Sequence, residues 1–340
     1  MFFGRQVLEK NLQSVNIMSQ GKITDWDKAE GFWRKIICQD MAQNLTEKAV
    51  ITNFYPHADK HSKEQSLNVF FESFKVPLYF SVCNSLLVLY ASGKVNGVVV
   101  DSGEGLTSVV PICDGSIMNF SKTTDDLAGD YLTKILMNEL KQTRKGNIQI
   151  EEATNSTSMN YLLAKDLKEK YLRVSMNYEK DVKELGLPGH SLANNMEAIG
   201  NSTMVTLPDG SALQLGNLSV KIPETLFRPE TFNLTNPGIQ EIIYDSILKN
   251  DLDVRRQLCN NLIITGGNTL FSNYNERLQR EIGYLLPSIL KTRCITVSDR
   301  LYAQWLGGAI VSALSIFQPM WITRAEYDEC GPSVIHRKSI

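Results

Sequence analysis

The chain has 340 residues, of which 43% are hydrophobic and 21% charged, a composition typical of a folded globular protein and unlike a disordered or fibrous one. Its 35 lysines and arginines against 37 aspartates and glutamates give a net charge of −2, which does not favour a nucleic-acid backbone as partner. At about 150 residues per domain, this length predicts roughly two lobes or one large α/β unit.

The longest apolar runs, such as residues 86–90, fall far short of the ~18 residues that cross a bilayer. The N-terminus has no secretory pattern, so we expect an intracellular protein with no membrane association. The 6 cysteines are widely separated and form no CxxC pair, which favours reduced, mostly buried thiols over disulfides or metal ligands.

The first elements in chain order are two helices and a hairpin. The apolar spacing predicts helices over residues 25–41 and 82–90, the second ending at Gly93. The sequence GVVVDSGEGLTSVVPICDG then contains two buried-strand runs, residues 98–100 and 109–112, on either side of a glycine-rich turn. This pattern predicts a β-hairpin.

The tip of this hairpin is a candidate anion site. Gly103 and Gly105 lack Cβ atoms, so an anion can approach the backbone N–H groups closely. Asp101 lies at the strand end, where a carboxylate can hold a hydrated cation. An ordinary hairpin turn explains the same residues, and both interpretations stay open at this point.

Helices are predicted over residues 125–140 and 161–174, followed by a polar, mobile loop over residues 175–203. Two short strands, residues 204–207 and 212–215, are predicted to flank a turn containing Pro, Asp and Gly.

A second glycine pair, Gly266 and Gly267, follows a predicted buried strand over residues 262–265. Glycines between a parallel strand and a helix are common at nucleotide sites, and they equally allow close helix–strand packing. A last apolar helix is predicted over residues 302–314, where Gly307 favours close backbone contact over ligand binding.

Several segments, in this order, resemble the actin and actin-related protein family: VVVDSGEGLTSVVPICDG, DLAGDYLTKIL, KDLKEKYL, LPDG with IPETLFRP, NLIITGGNTL, and WLGGAIVSALSIFQPMWITRAEYDECGPSVIHRK. The likeness extends from about Phe3 to Ile340. It implies a duplicated ribonuclease H-like α/β fold with two lobes, N-terminally incomplete in this divergent member, and a nucleotide cleft between them. The implied first lobe is residues 1–90 and 301–340. The second is residues 91–300 with the polar loop 175–203, and the hairpin region 91–125 bridges toward it.

The resemblance implies a set of residues around adenine nucleotide and magnesium. The second phosphate hairpin corresponds to Asp101, Ser102, Gly103, Glu104 and Gly105, with Asp101 also directing the metal through water. Lys168 and Glu169 resemble adenine and ribose contacts, and Gly266, Gly267 and Asn268 resemble the loop beneath the nucleotide. The remaining candidates for nucleotide binding are Gly129, Lys165 and Phe271.

The departures from the family pattern predict a degenerate site. The resemblance begins after the family's first phosphate hairpin, so we expect half of the phosphate clamp to be absent and the first lobe to have an exposed sheet edge. Asn84 stands where the family has a water-orienting glutamine, Leu301 where it has a lysine, and Glu104 where it has an aspartate. Asn84 and Asp101 are the only catalytic candidates, and both are degenerate, so we expect no useful ATPase activity. We also expect ATP or ADP with Mg to bind weakly or not at all.

A partner surface is also implied. Tyr90, Ile310, Val311, Leu314, Ile316 and Met320 resemble the family's apolar cleft between two subdomains, where amphipathic helices dock. The sequence is equally compatible with burial of these residues in the core.

The favoured function is a non-catalytic actin-related subunit of a cytoskeletal or chromatin-associated assembly. Its expected partners are other proteins, including actin or other actin-related proteins, with no direct nucleic-acid or membrane contact. The alternative is an ATP-binding, filament-forming protein present as a truncated product, and a sugar-kinase-like enzyme ranks third. The expected location is cytoplasmic or cytoskeletal, with the nucleus as the alternative.

Overall fold

The computed structural model describes residues 16–144, 156–186, 204–206 and 212–339. The β-strands of this part are β1 Met18–Ser19, β2 Lys22–Ile23, β3 Val50–Phe54, β4 Leu78–Cys83, β5 Gly97–Ser102, β6 Thr107–Cys113, β7 Ser116–Ile117, β8 Thr123–Asp125, β9 Met204–Thr206, β10 Ala212–Gln214, β11 Leu262–Thr265, β12 Cys294–Thr296 and β13 Ile322–Thr323. The α-helices are α1 Trp26–Trp33, α2 Lys60–Asn68, α3 Asn84–Ala91, α4 Gly129–Arg144, α5 Ser156–Tyr171, α6 Tyr178–Gly186, α7 Leu218–Glu224, α8 Ile239–Leu248, α9 Leu252–Asn260, α10 Tyr274–Leu285, α11 Ala303–Ala313, α12 Arg324–Cys330 and α13 Ile335–Lys338.

The larger sheet has six strands in the order β12-β11-β5-β6-β7, with β8 also paired to β6. Strand β11 runs parallel to β5 and β12, whereas β5 and β6 form the antiparallel hairpin predicted from the valine runs. Because side chains alternate along a strand, Val98 and Val100 enter one core and Val99 enters another. The sheet is therefore buried on both faces.

The smaller sheet has three strands in the order β13-β4-β3. Strand β3 runs parallel to β4, and β13 pairs antiparallel with the other side of β4. A third apolar cluster, which includes Phe71, Tyr79 and Ile335, covers one face of this sheet. Within the described ranges β3 has no strand on its outer side, so it is the edge of this sheet.

Helices α3 and α11 pack closely against each other beside both sheets. A Cβ atom at Gly307 would overlap the backbone carbonyl of Leu87, so only glycine allows this approach. The prediction that Gly307 serves close packing agrees with this contact. Strands β5 and β11 lie behind α3 and place the hairpin tip and the Gly266 turn at one edge of the large sheet.

Several predicted boundaries were wrong. The helix expected from residue 125 starts at Gly129, because residues 123–125 pair with β6 as a strand. The helix expected over residues 82–90 starts at Asn84, since Val82 belongs to β4. Continuous apolar runs have no period, so they cannot separate a buried strand from the helix that follows it.

The helix predicted over residues 161–174 begins at Ser156 and ends at Tyr171. Part of the predicted polar loop 175–203 is also helical, because α6 covers Tyr178–Gly186, and residues 187–203 lie outside the described residues. The two short strands after that loop do pair antiparallel, as predicted, while the turn between them lies outside the described residues. None of the helices that the structure describes has the length and hydropathy needed to cross a membrane.

Candidate functional site

The hairpin tip is a tight turn between β5 and β6. The strands stay in register up to the pair Ser102 and Thr107, and the Gly103 N–H then donates to the Leu106 carbonyl at 3.0 Å. The Ser102 and Thr107 hydroxyls are buried and 3.1 Å apart, which fixes the base of the turn. The tip is therefore held in one conformation by the strands behind it.

The start of α4 packs directly on this tip. The N–H of Gly129 donates to the Gly103 carbonyl at 2.9 Å, and the N–H of Asp130 donates to the Glu104 carbonyl at 2.6 Å. Donors at a helix start are the groups that would bind an anion, and these two are already used by the hairpin. A Cβ at Gly129 would lie 2.6 Å from Glu104 Oε2, so a larger residue here would displace the Glu104 carboxylate.

The Glu104 side chain is the centre of a charged cluster. Lys168 Nζ donates to Glu104 Oε2 at 3.1 Å and to the Gly129 carbonyl at 2.7 Å, while Lys165 Nζ lies 3.2 Å from Glu104 Oε1. The Tyr161 hydroxyl lies within hydrogen-bond distance of both Glu104, at 3.1 Å, and the Asp130 carboxylate, at 2.6 Å.

Lys168 and Glu104 differ in how far their side chains are buried. The Lys168 side chain is 3% exposed and that of Glu104 is 41% exposed. Burial lowers the pKa of Lys168, and Glu104 partly offsets this. Burial raises the pKa of Glu104, but Lys168 and Lys165 outweigh burial and leave that pKa below its usual value. Each of these two groups therefore favours the charged form of the other.

Asp101 sits behind the tip in a nearly closed environment. Its Oδ2 accepts from Asn84 Nδ2 at 3.3 Å and from Gln304 Nε2 at 2.9 Å, and Gln304 in turn accepts from Asn53 at 2.7 Å. Burial raises the pKa of Asp101 to about 6, with the Gln304 hydrogen bond opposing the shift. A carboxylate with only neutral amide partners loses much of its hydration without gaining a counter-charge.

Asn84, the residue predicted to orient water, is hydrogen-bonded to other residues of the protein. Besides its bond to Asp101, its Oδ1 accepts from the Ser85 N–H at 2.7 Å. Both ends of the amide are therefore used within the protein. No cluster of three or more His, Cys, Asp or Glu able to hold a metal occurs among the described residues.

The second glycine turn packs against the first. Gly266 has φ +94°, and a Cβ there would overlap the Ser102 carbonyl, so this glycine is needed for close packing of the two turns. Asn268 Nδ2 donates to Ser102 Oγ at 3.0 Å and to the Gly103 carbonyl at 2.8 Å. Gly267 has open space around it except for Leu301 at 3.9 Å.

The structure thus brings most of the predicted nucleotide residues together: Asp101, Ser102, Gly103, Glu104, Gly129, Lys165, Lys168, Gly266 and Asn268. Phe271 lies instead in the main core, 8% exposed, and Glu169 is exposed on α5. Gly105 has its nearest neighbour at Gln20, with 3.6 Å between a Cβ there and the Gln20 backbone nitrogen.

A cavity of about 1120 Å³ lies next to this cluster. Asn84, Gln304 and Leu301 line it, whereas Gly103, Glu104 and Lys168 do not. The hairpin tip is therefore packed against α4 and α5, and the open space lies on the side of the smaller sheet.

The residues predicted as a partner cleft divide into two groups. Val311 is 8% exposed and belongs to the core, with Tyr90 and Met320 packed against the same core. Ile310, Leu314 and Ile316 are 39%, 48% and 82% exposed, at the end of α11 and in the turn after it. Packing thus explains one half of the set, and the other half forms an apolar surface.

Three site residues were missed from the sequence. Each of them forms a hydrogen bond with a residue far away in the sequence. Gln304 is 203 residues from Asp101, and Tyr161 is 57 residues from Glu104. Asp130 is 31 residues from Tyr161. Only Asp130 had a local signal, since it follows Gly129 in the DLAGDYL segment. The others are brought in by the sheet topology.

One comparison with known proteins identifies the chain. The protein-family model described as Actin matches residues 1–340. The match covers the entire sequence, including the hairpin, both glycine turns and the C-terminal run.

Proposed function

Because the chain belongs to the actin family, we propose that it acts as a non-catalytic actin-related subunit of a cytoskeletal or chromatin-associated assembly, with weak or no ATP binding. The observation that carries the proposal is the ion-pair cluster at Glu104, which occupies the place that the resemblance assigns to the nucleotide.

Phosphate binding depends on cations and N–H donors that are free to face the ligand. Here Lys165 and Lys168 are both paired with Glu104, and the first N–H groups of α4 are bonded to hairpin carbonyls. A phosphate that approached the tip would meet a carboxylate, and it would have to break the pair to a lysine that is 3% exposed. The described residues therefore fit a tightly held triphosphate poorly.

Hydrolysis needs a group that orients or deprotonates water. Asn84 uses both ends of its amide inside the protein, and Asp101 accepts from Asn84 and Gln304. These side chains stabilise one another and leave no positioned partner for a reacting water. This geometry supports a structural role for the former catalytic positions.

The apolar surface of Ile310, Leu314 and Ile316 supports a role in protein contacts. Exposed large aliphatic side chains next to one another favour association, and an amphipathic helix is the partner that such a surface accommodates. The proposed function thus depends on protein contacts at this surface.

The nucleotide part is tested on the purified protein and its Glu104→Gln variant. We expect no stoichiometric nucleotide after denaturing extraction, no ATP turnover, and weak binding of a fluorescent ATP analogue that tightens in Glu104→Gln because two lysines lose their carboxylate. Stoichiometric ATP in the native protein, or tighter binding by wild type than by the variant, would overturn this proposal.

The partner part is tested by co-purification from the natural source with Ile316→Asp. Ile289→Asp is the matched control, because Ile289 is 84% exposed and Ile316 is 82% exposed. We expect Ile316→Asp alone to lose its partner proteins. Sedimentation of wild type as ATP-dependent filaments would instead support the filament-forming alternative.

A further inference from the structure

The hairpin tip, residues 102–106, is joined to α5 through one side chain. Among the residues whose side chains the structure describes, every hydrogen bond and ion pair between this tip and α5 involves the Glu104 carboxylate. The backbone carbonyls of Gly103 and Glu104 bond instead to α4 and to Asn268. The polar contacts between α5 and the hairpin in this part of the molecule therefore depend on one carboxylate.

Both oxygens of this carboxylate have cationic partners. Oε2 lies 3.1 Å from Lys168 Nζ, and Oε1 lies 3.2 Å from Lys165 Nζ. The Tyr161 hydroxyl is 3.1 Å from Oε1, but its single proton has a closer acceptor in Asp130 at 2.6 Å. The two lysines are thus the donors that hold the carboxylate, and they surround it as they would surround a bound anion.

The inner side of this arrangement does not need Glu104 to hold it in place. The Lys168 side chain is 3% exposed, and its Nζ also donates to the Gly129 carbonyl at 2.7 Å. That second bond keeps the ammonium in position if the carboxylate is removed. A buried ammonium that loses its carboxylate is costly, so the emptied position would favour another anion.

The outer side is more accessible. In the described part of the chain, the Glu104 and Lys165 side chains are 41% and 35% exposed. A small ion can reach the cluster from this side, whereas the Gly129 carbonyl and Lys168 close the other. The space is that of one short side chain, which limits the ligand to a few atoms.

We propose that these groups form a carboxylate-binding site whose ligand is the protein's own Glu104, and that free acetate takes the place of this side chain when it is shortened. In the native chain the attached carboxylate is always at a high effective concentration, so it keeps α5 joined to the hairpin without any bound molecule. This inference goes beyond the proposed function, because it concerns neither nucleotide nor partner proteins.

The test uses the full chain with Glu104→Ala, which removes one methylene and the carboxylate, the atoms that acetate supplies. Binding is followed by the line width of ¹³C-acetate in NMR. We expect no binding to wild type, and saturable binding to Glu104→Ala with half-saturation at about 10 mM, as for an ion with a few charge-assisted hydrogen bonds.

Stability gives a second measurement. At about 100 mM acetate the site is mostly filled, so the folded-to-unfolded ratio of Glu104→Ala should rise about ten-fold relative to the same concentration of chloride. The matched control is Glu230→Ala, which removes an exposed carboxylate outside the cluster. It should respond equally to the two salts.

Variants of the two lysines separate binding in the cluster from a general salt effect. Lys168→Met added to Glu104→Ala should abolish acetate binding, because it removes the buried cation. Lys134→Met added to Glu104→Ala should leave binding intact, because Lys134 pairs with Asp130 at 2.6 Å and not with Glu104.

Hydrogen exchange reports on α5 itself, and it includes a variant that keeps the shape of the side chain. Glu104→Ala should speed amide exchange in α5 and leave the smaller sheet unchanged, and acetate should slow it again. Glu104→Gln should also speed exchange in α5, but its amide fills the site, so acetate should have no effect on it.

Three results would overturn the proposal. One is an equal response of Glu104→Ala to acetate and chloride, and another is acetate binding by the variant that also carries Lys168→Met. The third is exchange of α5 at the wild-type rate in Glu104→Gln, a result that does not depend on the folding of Glu104→Ala. None of these outcomes bears on ATP in the native protein, so the proposed function is tested separately.

Discussion

Replacing Asp101 with asparagine is expected to stabilise the protein at pH 7 and to change its stability little at about pH 4. Burial raises the pKa of Asp101 from 3.8 to about 6, because its carboxylate has amide donors and no counter-charge. Asparagine has nearly the same shape, and its carbonyl oxygen can accept from the same two amides. The substitution therefore removes the cost of a buried charge and keeps the hydrogen bonds.

The magnitude follows from proton linkage. The folded state binds this proton more tightly than the unfolded state, so the contribution of Asp101 to stability falls as the pH rises from about 4 to about 6 and is constant above that. At ~1.4 kcal/mol for each pH unit in that window, the loss is about 3 kcal/mol at neutral pH. Asp101→Asn should regain about 2 to 3 kcal/mol at pH 7.

The assay is urea unfolding followed by circular dichroism at both pH values, with Asp166→Asn as the control because Asp166 is exposed. The control should change the free energy of unfolding by less than ~0.5 kcal/mol. Destabilisation by Asp101→Asn at pH 7, or an effect of equal size at both pH values, would refute the reasoning. A rise in wild-type stability with added Mg²⁺ that Asp101→Asn lacks would show that this carboxylate directs a metal.

Two further predictions concern buried contacts. Glu224→Gln should lower the free energy of unfolding by about 2 kcal/mol, because Arg277, 2% exposed, loses the charge of a 0% exposed partner at 2.8 Å while it keeps Glu281 at 2.5 Å. Chemical denaturation measures this free energy. The control Glu184→Gln breaks a pair whose side chains are 68% and 48% exposed, and it should cost less than ~1 kcal/mol. Equal effects of the two variants would contradict a stabilising role for the buried pair. Gly307→Ala should destabilise by more than ~1 kcal/mol, since its Cβ overlaps the Leu87 carbonyl, and an unchanged melting temperature would show that α3 and α11 can separate without cost.

The hairpin and the second glycine turn could be predicted from sequence because their signals are local. Two valine runs separated by Asp-Ser-Gly-Glu-Gly specify strand, turn and strand within about twenty residues, and β5 and β6 follow that pattern. The same holds for α11, whose apolar run predicted the helix to within one residue at each end. Local patterns indicated the two glycine turns, whereas Lys165, Lys168 and Gly129 were candidates only through the family resemblance.

The state of the site could not be predicted in the same way. Glu104 and Lys168 are 64 residues apart, and nothing in either segment indicates that they form an ion pair. Likewise the sequence shows Asn84 as a shortened glutamine, but only the fold shows that both ends of its amide are bonded. Resemblance indicates which residue type stands at a position, whereas only the packing shows which neighbours its side chain bonds.

Helix α11 carries Ile310, one of the three residues of the proposed partner surface. It buries Ala303, Gly307 and Val311, which are four residues apart and form one stripe against α3. Outside this stripe the helix exposes Trp305 and Ile310, which are 74% and 39% exposed, beside the polar side chains of Gln304 and Ser312.

Large apolar side chains that a helix exposes beside its buried stripe favour association. Among the described residues, packing covers the stripe of Ala303, Gly307 and Val311 and leaves Trp305 and Ile310 exposed. The same helix supplies Gln304 to Asp101, so α11 links the buried carboxylate to these exposed side chains. A partner that contacted Ile310 would press on the helix whose Gln304 donates to Asp101, and a change in the pH dependence of stability on binding would reveal such coupling.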